Sequence, residues 1–378
     1  MAQNDLSDAL DKASNRDLLD LTVSNPTRCS FSYPKDLLTS LSNPKSLQYD
    51  PDPSGLFVAR KAVADYYLQS FGEVVDPANL LLTASTSEAY SLLFKLLADP
   101  GDEIHIPTPG YPLLAHLAQL EALNPIPYRL KKLEGWPLDL SSLEMTSQGH
   151  SKALVVIQPN NPTGSTLAEA DFQELASLCI RQKMALISDE VFRDYLEGTL
   201  PLPHGPGDFL RFRLGGISKT FGLPQLKLSW ILLEGPANLL AECRERLEFI
   251  ADTYLSVNTP IQNALPELIS RSQGIQDQIK DRLLENRGLL TTSLKGLETV
   301  KVWNAQGGWY ILLELVNIPN NDEEVALTLL EKHQVVVHPG SFYDFPSGQF
   351  LVLSLLPHPS IFKVGVSRIA EYLNSFSA

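Results

Sequence analysis

Helical and strand-like patterns alternate along this chain from Gly55 to about residue 235, and this alternation restricts the fold more than any other feature. Short apolar runs of strand length are separated by amphipathic stretches of helix length, which is the pattern of βαβ units. Such units build a mainly parallel sheet that has helices on both faces. The sequence therefore predicts an α/β fold around a large, mainly parallel central sheet.

Polar side chains follow two neighbouring strands of this predicted sheet. Residues 185–188 are expected to form a short buried parallel strand, with Asp189 and Glu190 at its carboxyl end. Residues 153–157 form the preceding apolar strand, which runs into a turn-rich segment containing Asn161. Because open α/β sheets collect ligand-binding groups at the carboxyl ends of their strands, Asp189 and Asn161 are expected at one edge of the sheet.

One lysine, Lys219, lies in the segment GGISKTFGLP at residues 215–224, between a predicted glycine-flanked turn and an apolar strand at residues 228–233. Lysine amines form Schiff bases with carbonyl compounds, and the cofactor that most often uses this chemistry is pyridoxal 5'-phosphate. This cofactor also needs a carboxylate opposite its pyridine nitrogen, which Asp189 can supply. A surface lysine is the plain alternative, but the presence of Asp189 and Asn161 upstream favours a catalytic lysine.

The length of 378 residues and a change of pattern after residue 260 predict two domains. Helical periodicity dominates residues 260–297, strand-like runs occupy residues 300–315 and 334–355, and a last helix is expected near residues 361–376. We assign residues 1–45 to an N-terminal arm and part of the small domain. Residues 46–265 form the large cofactor-binding domain, and residues 266–378 form a C-terminal small α+β domain.

The formal net charge of −14 disfavours nucleic acid and anionic membrane surfaces as partners, so small molecules are the expected partners. The three cysteines, Cys29, Cys179 and Cys243, are widely spaced and include no C-x-x-C pair, which indicates free thiols and no metal site. The N-terminus lacks a signal-peptide pattern, and no apolar run approaches membrane-spanning length. A cytoplasmic location is therefore expected.

The motifs Asn-Pro-Thr-Gly at residues 161–164, Ser-Asp-Glu-Val at 188–191 and Ser-Lys-Thr-Phe-Gly at 218–222, in this order, resemble the class I/II aminotransferases. These are pyridoxal-phosphate enzymes of fold type I, and the resemblance extends from about Tyr49 to Phe342. It implies that Lys219 forms the Schiff base and then moves the Cα proton. It also implies that Asp189 pairs with the pyridine nitrogen and that Asn161 donates to the phenolic oxygen of the cofactor.

The resemblance also predicts how the cofactor phosphate and ring are held. The segment Ser85-Thr86-Ser87-Glu88 matches an S-x-x-E capping box before an amphipathic helix that runs to about Ala98, and such a helix start binds anions. Further cofactor contacts implied by the family are Ser218, Lys227 in place of the usual arginine, Tyr111 stacked on the ring, and Tyr49 from the neighbouring subunit of a homodimer. The two active sites are therefore expected to be shared between subunits.

Two positions depart from the family pattern. Phe192 stands where the family usually has a tyrosine that donates to the phenolic oxygen, which predicts a higher Schiff-base pKa. Val352 stands where the family has the arginine that binds the substrate α-carboxylate. Arg28, which follows Ser24-Asn25-Pro26-Thr27 in the segment expected over the substrate pocket, is the candidate replacement, and Asn25 is a further candidate substrate contact. Lys35, Arg193 and Arg368 stay open as other cations.

These residues predict an aminotransferase that exchanges an amino group between an amino acid or amine and a keto acid. A pyridoxal-phosphate lyase of the same fold is the nearest alternative, because the same carbanion can expel a β-substituent. A non-catalytic pyridoxal-phosphate sensor is a further alternative, and the negative charge argues against its usual link to DNA binding.

Overall fold

The structure is a computed structural model that describes residues 5–13, 17–146, 151–198, 202–203 and 207–377. Its α-helices are α1 (Asp5–Lys12), α2 (Phe57–Phe71), α3 (Thr86–Leu97), α4 (Leu113–Leu120), α5 (Leu140–Thr146), α6 (Glu169–Gln182), α7 (Ile217–Thr220), α8 (Ala237–Tyr254), α9 (Thr259–Arg271), α10 (Gln273–Ser293), α11 (Asp322–His333) and α12 (Pro359–Asn374). Its strands are β1 (Leu19–Asp20), β2 (Leu80–Thr83), β3 (Glu103–Thr108), β4 (Asn124–Arg129), β5 (Ser151–Ile157), β6 (Ala185–Asp189), β7 (Arg211–Gly216), β8 (Ser229–Glu234), β9 (Val300–Trp303), β10 (Tyr310–Leu315), β11 (Val335–Val336), β12 (His338–Pro339) and β13 (Phe350–Ser354).

Seven strands form the central sheet, in the order β2-β8-β7-β6-β5-β3-β4. The neighbours from β7 to β4 pair in parallel, whereas β8 pairs antiparallel with both β2 and β7. The predicted α/β fold with a mainly parallel sheet is confirmed, and the strands expected at residues 153–157 and 185–188 are β5 and β6. The reversed direction of β8 brings its first residue to the edge where the parallel strands end.

The central sheet is buried on both faces, which explains why its inner strands are almost continuously apolar. In β5, Ala153, Val155 and Ile157 belong to a core that includes side chains of α3, α4 and α8. The alternate residues Leu154 and Val156 belong to a second core with α2, α6 and α9. Successive side chains of a strand point to opposite faces, so one strand stabilises both helical layers.

A second, antiparallel sheet has the order β12-β13-β10-β9, and β1 pairs in parallel with β11. These strands and the final helix α12 confirm the pattern expected for residues 300–315, 334–355 and 361–376. The helical region expected at residues 260–297 is two helices, α9 and α10, which meet at Ser272. The domain boundaries at residues 45 and 265 stay a prediction, and residues 1–4 and 14–16 of the N-terminal arm lie outside the described residues.

Gly215 and Gly216 end strand β7, so the glycine-flanked turn expected before Lys219 is wrong. Gly215 pairs with Trp230 of β8, and a Cβ at position 215 would lie 2.5 Å from the Trp230 indole. A Cβ at position 216 would overlap the side chain of Ser229, its partner in β8. Both glycines are therefore needed for close packing of β7 against β8 rather than for a turn.

Each of the three cysteines is buried, and none forms a disulfide, as expected from their spacing. Within the described ranges, no helix is both long enough and apolar enough to cross a membrane.

Candidate active site

A cavity of about 210 Å³ opens at the edge of the central sheet where the parallel strands end. β5, β6 and β7 contribute their carboxyl ends, and the antiparallel β8 contributes its first residue, Ser229. The residues that line the cavity are Ser24, Thr86, Tyr111, Ile157, Asn161, Asp189, Val191, Phe192, Gly216, Ser218, Lys219, Ser229 and Tyr310. Six of the predicted site residues are thus brought together: Thr86, Tyr111, Asn161, Asp189, Ser218 and Lys219.

Lys219 lies in α7, the single helical turn that follows β7 directly. Its Nζ lies 4.9 Å from the centre of the Trp309 ring and 5.8 Å from the centre of the Phe192 ring. The Tyr195 hydroxyl donates a 2.9 Å hydrogen bond to the Lys219 carbonyl oxygen, which fixes the backbone of this turn. Burial lowers the pKa of the Lys219 amine to about 8, although the charge of Asp189 opposes this shift. An amine with this pKa can take up and release a proton near neutral pH.

Asp189 is the last residue of β6, and its carboxylate is buried. The Tyr90 hydroxyl, from α3, donates a 2.9 Å hydrogen bond to Oδ2, and the Val191 N–H donates a 3.2 Å hydrogen bond to Oδ1. Burial raises the pKa of Asp189 to about 6 in spite of these hydrogen bonds and the charge of Lys219. These hydrogen bonds therefore fix the position of the Asp189 carboxylate but do not fully offset the cost of burying its charge. A cation in the cavity would stabilise its charged form.

Glu190 is adjacent to Asp189 in the chain but belongs to a different group of charges. Its carboxylate accepts hydrogen bonds from Arg213 at 2.9 Å and from Arg211 at 3.2 Å, both from β7. Burial alone would raise the pKa of Glu190, but Arg213, Arg211 and Arg193 hold it at about 2. Arg193 also pairs with Glu73, so this arginine belongs to a buried ion-pair cluster and not to the cavity lining.

Asn161 lies in the loop after β5, and the loop is fixed by its own hydrogen bonds. The Asn160 N–H donates to the Ser165 carbonyl oxygen at 2.8 Å, and the Gly164 N–H donates to the Asn160 carbonyl oxygen at 2.8 Å. Gly164 has a φ of 68°, a left-handed conformation that favours glycine. Asn161 Oδ1 is buried and has no hydrogen-bond partner. This amide therefore presents an unsatisfied polar group at the cavity.

The start of α3 supplies Thr86 to the cavity. Ser85 is the N-cap and accepts a 3.1 Å hydrogen bond from the Glu88 N–H, as the capping motif predicts. The Glu88 carboxylate, however, accepts from the Ala84 N–H, one residue before the position expected in a capping box. The helix ends at Leu97, close to the predicted end at Ala98.

The other predicted site residues lie outside the lining of this cavity. Ser85 and Ser87 belong to the start of α3, and Lys227 is exposed just before β8. Tyr49 is 71 % exposed. Arg28 and Asn25 are exposed, and the Asn25 side chain accepts a 3.1 Å hydrogen bond from the Thr27 N–H. Their roles as cofactor or substrate contacts stay predictions.

The remaining candidate cations also lie elsewhere. Lys35 is exposed, and Arg368 donates a 2.7 Å hydrogen bond to the His333 carbonyl oxygen. Val352 is buried in β13, where it pairs with His338 of β12 and Leu312 of β10. Among the described residues, Lys219 is the only lysine or arginine that lines the cavity.

Several lining residues were not predicted from the sequence. Ser229 reaches the cavity because β8 is antiparallel, and Tyr310 reaches it from the small sheet. Ser24 follows the N-terminal segment and is hydrogen-bonded to Tyr310. The pair Trp309-Tyr310 at the start of an apolar strand indicates that aromatic side chains lie close together there. The sequence did not indicate that this strand of the small domain would face the cavity.

The residues of this cavity fit pyridoxal 5'-phosphate, the cofactor expected from the sequence. Asp189 offers a buried carboxylate without full compensation, which suits a protonated pyridine nitrogen. The unsatisfied Asn161 amide lies on the same lining, and turning it by 180° exchanges its oxygen for an N–H donor. Ser218, Ser229 and Thr86 offer hydroxyl groups suited to a phosphate. No cluster of metal-ligating side chains was found in the described ranges.

The chain belongs to the aminotransferase class I and II family, whose sequence model matches residues 19–355. Members of this family depend on pyridoxal phosphate, and the chain is a transaminase. It is 27 % identical over 379 residues to the alanine aminotransferase of Mycobacterium tuberculosis, covering 97 % of this chain and 87 % of that protein. It is 27 % identical over 373 residues to the glutamate-pyruvate aminotransferase AlaA of Haemophilus influenzae, covering 95 % of this chain and 91 % of that protein.

The fold agrees with that of solved aminotransferases. The structure of an alanine aminotransferase from Pyrococcus furiosus superposes with a TM-score of 0.88 at 24 % identity, covering 99 % of this chain and 98 % of that chain. An aspartate aminotransferase from Thermus thermophilus superposes with a TM-score of 0.83 at 23 % identity, covering 98 % of this chain and 97 % of that chain. At this level of identity the superpositions establish the fold.

Proposed function

We propose that this transaminase uses pyridoxal 5'-phosphate bound through a Schiff base to Lys219, and that it transfers the amino group of an α-amino acid to a keto acid. The observation that carries the proposal is the meeting of Lys219, Asp189 and Asn161 on one small cavity from three separate strand ends. Relatives of this chain include an alanine aminotransferase, a glutamate-pyruvate aminotransferase and a tyrosine aminotransferase, which supports amino-acid and keto-acid substrates.

The cofactor, when bound, supplies the electron sink for the charge left on the substrate Cα. Asp189 holds the proton of the pyridine nitrogen, because its buried carboxylate gains a cationic partner there. Tyr90 keeps this carboxylate oriented through its 2.9 Å hydrogen bond. Asn161 would donate to the phenolic oxygen from its fixed loop. Ser218, Ser229 and Thr86 would hold the phosphate, and Tyr111 would contact the ring.

Lys219 is the residue that moves the substrate proton. As a neutral amine it accepts a proton from the substrate Cα, and its lowered pKa makes this form available near neutral pH. The rings of Trp309 and Phe192 lie close enough to stabilise the ammonium form that results. The same side chain can therefore hold the proton and return it.

We propose that the functional unit is a homodimer in which Tyr49 reaches the phosphate of the partner's cavity. Tyr49, Leu47, Phe57 and Phe249 are large apolar side chains that this single chain leaves exposed. The Ser54 hydroxyl donates a 2.7 Å hydrogen bond to Glu248, so the segments that carry these residues lie side by side. A second copy of the chain would cover this surface. Light scattering at micromolar concentration tests the dimer, and a monomer that retains full activity would contradict it.

The test of the function is the absorbance spectrum of the cofactor-loaded protein during addition of single amino acids. Conversion of the Schiff-base band to that of pyridoxamine phosphate, with a keto acid as product, is the expected result. Lys219→Ala should lose this conversion, and Lys363→Ala, which changes an exposed lysine on α12, should retain it. Release of ammonia together with a keto acid in the absence of an acceptor would indicate a lyase instead.

A further inference from the structure

The cavity lacks the arginine that a carboxylate would ordinarily meet, and the structure shows what occupies that place. Val352 is buried in β13 and pairs directly with His338 of β12, so their side chains share one face of the small sheet. Leu312 of β10 also pairs with Val352, and Tyr310, two residues earlier, points to the same face. Because Tyr310 lines the cavity, this face of the sheet is the one that meets the substrate.

His338 is the basic side chain of this face nearest to Val352 in the strand register, and it is hydrogen-bonded to a tyrosine. Its Nδ1 lies 3.1 Å from the Tyr343 hydroxyl oxygen. Tyr343 is 5 % exposed, and the Gly110 N–H donates a 3.1 Å hydrogen bond to its carbonyl oxygen. The residue next to Gly110 is Tyr111, which lines the cavity.

The Tyr343 side chain is buried behind the cavity lining, near the phenols of Tyr310 and Tyr111, which line the cavity. Burial raises its pKa well above the usual tyrosine value, and the neighbouring phenols of Tyr310 and Tyr111 raise it further. Tyr343 therefore stays protonated and is a hydrogen-bond donor at every working pH. Ser24, hydrogen-bonded to Tyr310, adds a further hydroxyl at the same wall.

We propose that the hydrogen-bonded pair His338–Tyr343, with Tyr310 and Ser24 beside it, binds the α-carboxylate of the amino-acid substrate in place of the missing arginine. This inference rests on the proposed function. In this pair the Nδ1–H group of His338 donates a hydrogen bond to the Tyr343 oxygen. The Tyr343 hydroxyl in turn donates a hydrogen bond to the carboxylate. Tyr343 is the contact residue, and His338 is a positioning residue that acts through it.

The arrangement makes carboxylate binding dependent on the charge of His338, because the imidazolium form adds a positive charge behind Tyr343. Burial lowers the pKa of the imidazole, whereas Asp20 of β1 raises it. The other strand packed against β12 is β13, which presents Val352 and Leu351, both apolar. Asp322 of α11 accepts a 3.4 Å hydrogen bond from the Phe350 N–H, at the other end of β13. A bound carboxylate favours the imidazolium form, so amino acids should bind more weakly as the pH rises through the pKa of His338.

The experiment compares L-alanine, L-glutamate and L-tyrosine, which share the α-carboxylate and differ in side chain. The rate of the amino-acid half-reaction is measured by stopped-flow absorbance for the cofactor-loaded wild type, Tyr343→Phe and His338→Gln. We expect Tyr343→Phe to weaken the apparent affinity for all three amino acids by a similar factor of about 10, because each loses one hydrogen bond to a charged group. His338→Gln should weaken it and remove the pH dependence that His338 causes.

Val352→Arg, combined with Tyr343→Phe, tests whether an arginine on this face can replace the Tyr343 hydroxyl. With a guanidinium on this face, Tyr343→Phe should change the apparent affinity less than twofold, because the arginine takes over the carboxylate. A structural role for Tyr343 would instead lower the thermal midpoint and would not be rescued. Tyr343→Phe removes one oxygen atom from a buried ring, so folding is checked directly by the thermal midpoint and the cofactor band.

The outcomes separate the two proposals. Wild-type protein that is converted by amino acids, with Tyr343→Phe unchanged or impaired for only one of the three, would overturn the carboxylate site and leave the proposed function intact. Wild-type protein that no amino acid converts would refute the proposed function itself. An equal loss for all three amino acids, rescued by Val352→Arg, supports the carboxylate site.

Discussion

Replacing Lys219 with methionine should stabilise the cofactor-free protein at neutral pH while it abolishes activity. The amine is enclosed by the cavity wall, and burial lowers its pKa from the ordinary 10.5 to about 8. At about 1.4 kcal/mol for each pKa unit, holding the amine charged at pH 7 costs the folded state about 3 kcal/mol. The pKa of about 8 already includes the favourable effect of Asp189 on the charged amine, so the expected net gain is about 3 kcal/mol.

The pH dependence of this gain follows from the sign of the shift. A lysine whose pKa is lowered on folding destabilises the folded state fully below that lowered pKa, and the effect disappears as the pH rises toward 10.5. The stability difference between Lys219→Met and wild type should therefore shrink to about 1 kcal/mol at pH 9.5.

Urea denaturation of the cofactor-free proteins, followed by circular dichroism at pH 7 and pH 9.5, measures both values. Lys363→Met is the matched control, because Lys363 is exposed on α12, and this change should leave stability unaltered. A Lys219→Met protein that is no more stable than wild type at pH 7 would refute the reasoning. It would mean that the cavity solvates the ammonium group fully.

Three further predictions concern other parts of the structure. Glu190→Gln should lower the free energy of unfolding by about 3–5 kcal/mol near pH 7, because it leaves buried arginines uncompensated; the deficit should diminish in urea titrations as the pH falls below 4.5 toward the pKa of about 2. Gly215→Ala should cost about 1–3 kcal/mol through overlap with the Trp230 indole. Gly274→Ala, where a Cβ meets open space, should not destabilise the protein in the same thermal-unfolding assay. Phe192→Tyr should lower the pKa of the cofactor-linked Lys219 nitrogen, measured by spectrophotometric titration, since it adds a donor to the phenolic oxygen; an unchanged titration would contradict that role.

Local sequence patterns were sufficient to predict the strands and the residues that follow them. Asp189 and Asn161 could be placed because buried strands end in polar residues, and parallel strands end at one edge of a sheet. Lys219 could be predicted as a catalytic residue because it lies just before an apolar strand and the chain also supplies Asp189 and Asn161. The lysine alone would not have been informative. The mistaken turn at Gly215 shows the limit of this reasoning. The same glycines that permit a turn also permit close packing against a large side chain, and Trp230 decides between these only in three dimensions.

The parts that could not be predicted depend on contacts between distant segments. Tyr310 and Ser24 come from opposite ends of the chain and meet only after the small sheet has packed over the cavity. The family resemblance selected Asp189 over Glu190, but the local sequence pattern did not show that Glu190 is paired with arginines, because Arg211 and Arg213 lie on the next strand, β7. The exposed positions of Arg28 and Asn25 depend on how the N-terminal segment crosses the surface, and this has no local signature.

The adjacent carboxylates of Asp189 and Glu190 have a consequence for how this enzyme can vary. Asp189 lines the active-site cavity and has a raised pKa, whereas Glu190 neutralises a buried arginine cluster and has a lowered pKa. A single-residue insertion or deletion in β6 would shift the strand by one position and exchange the two environments. Catalysis and folding would then fail together, so the length of this five-residue strand is fixed even where its apolar side chains can be exchanged.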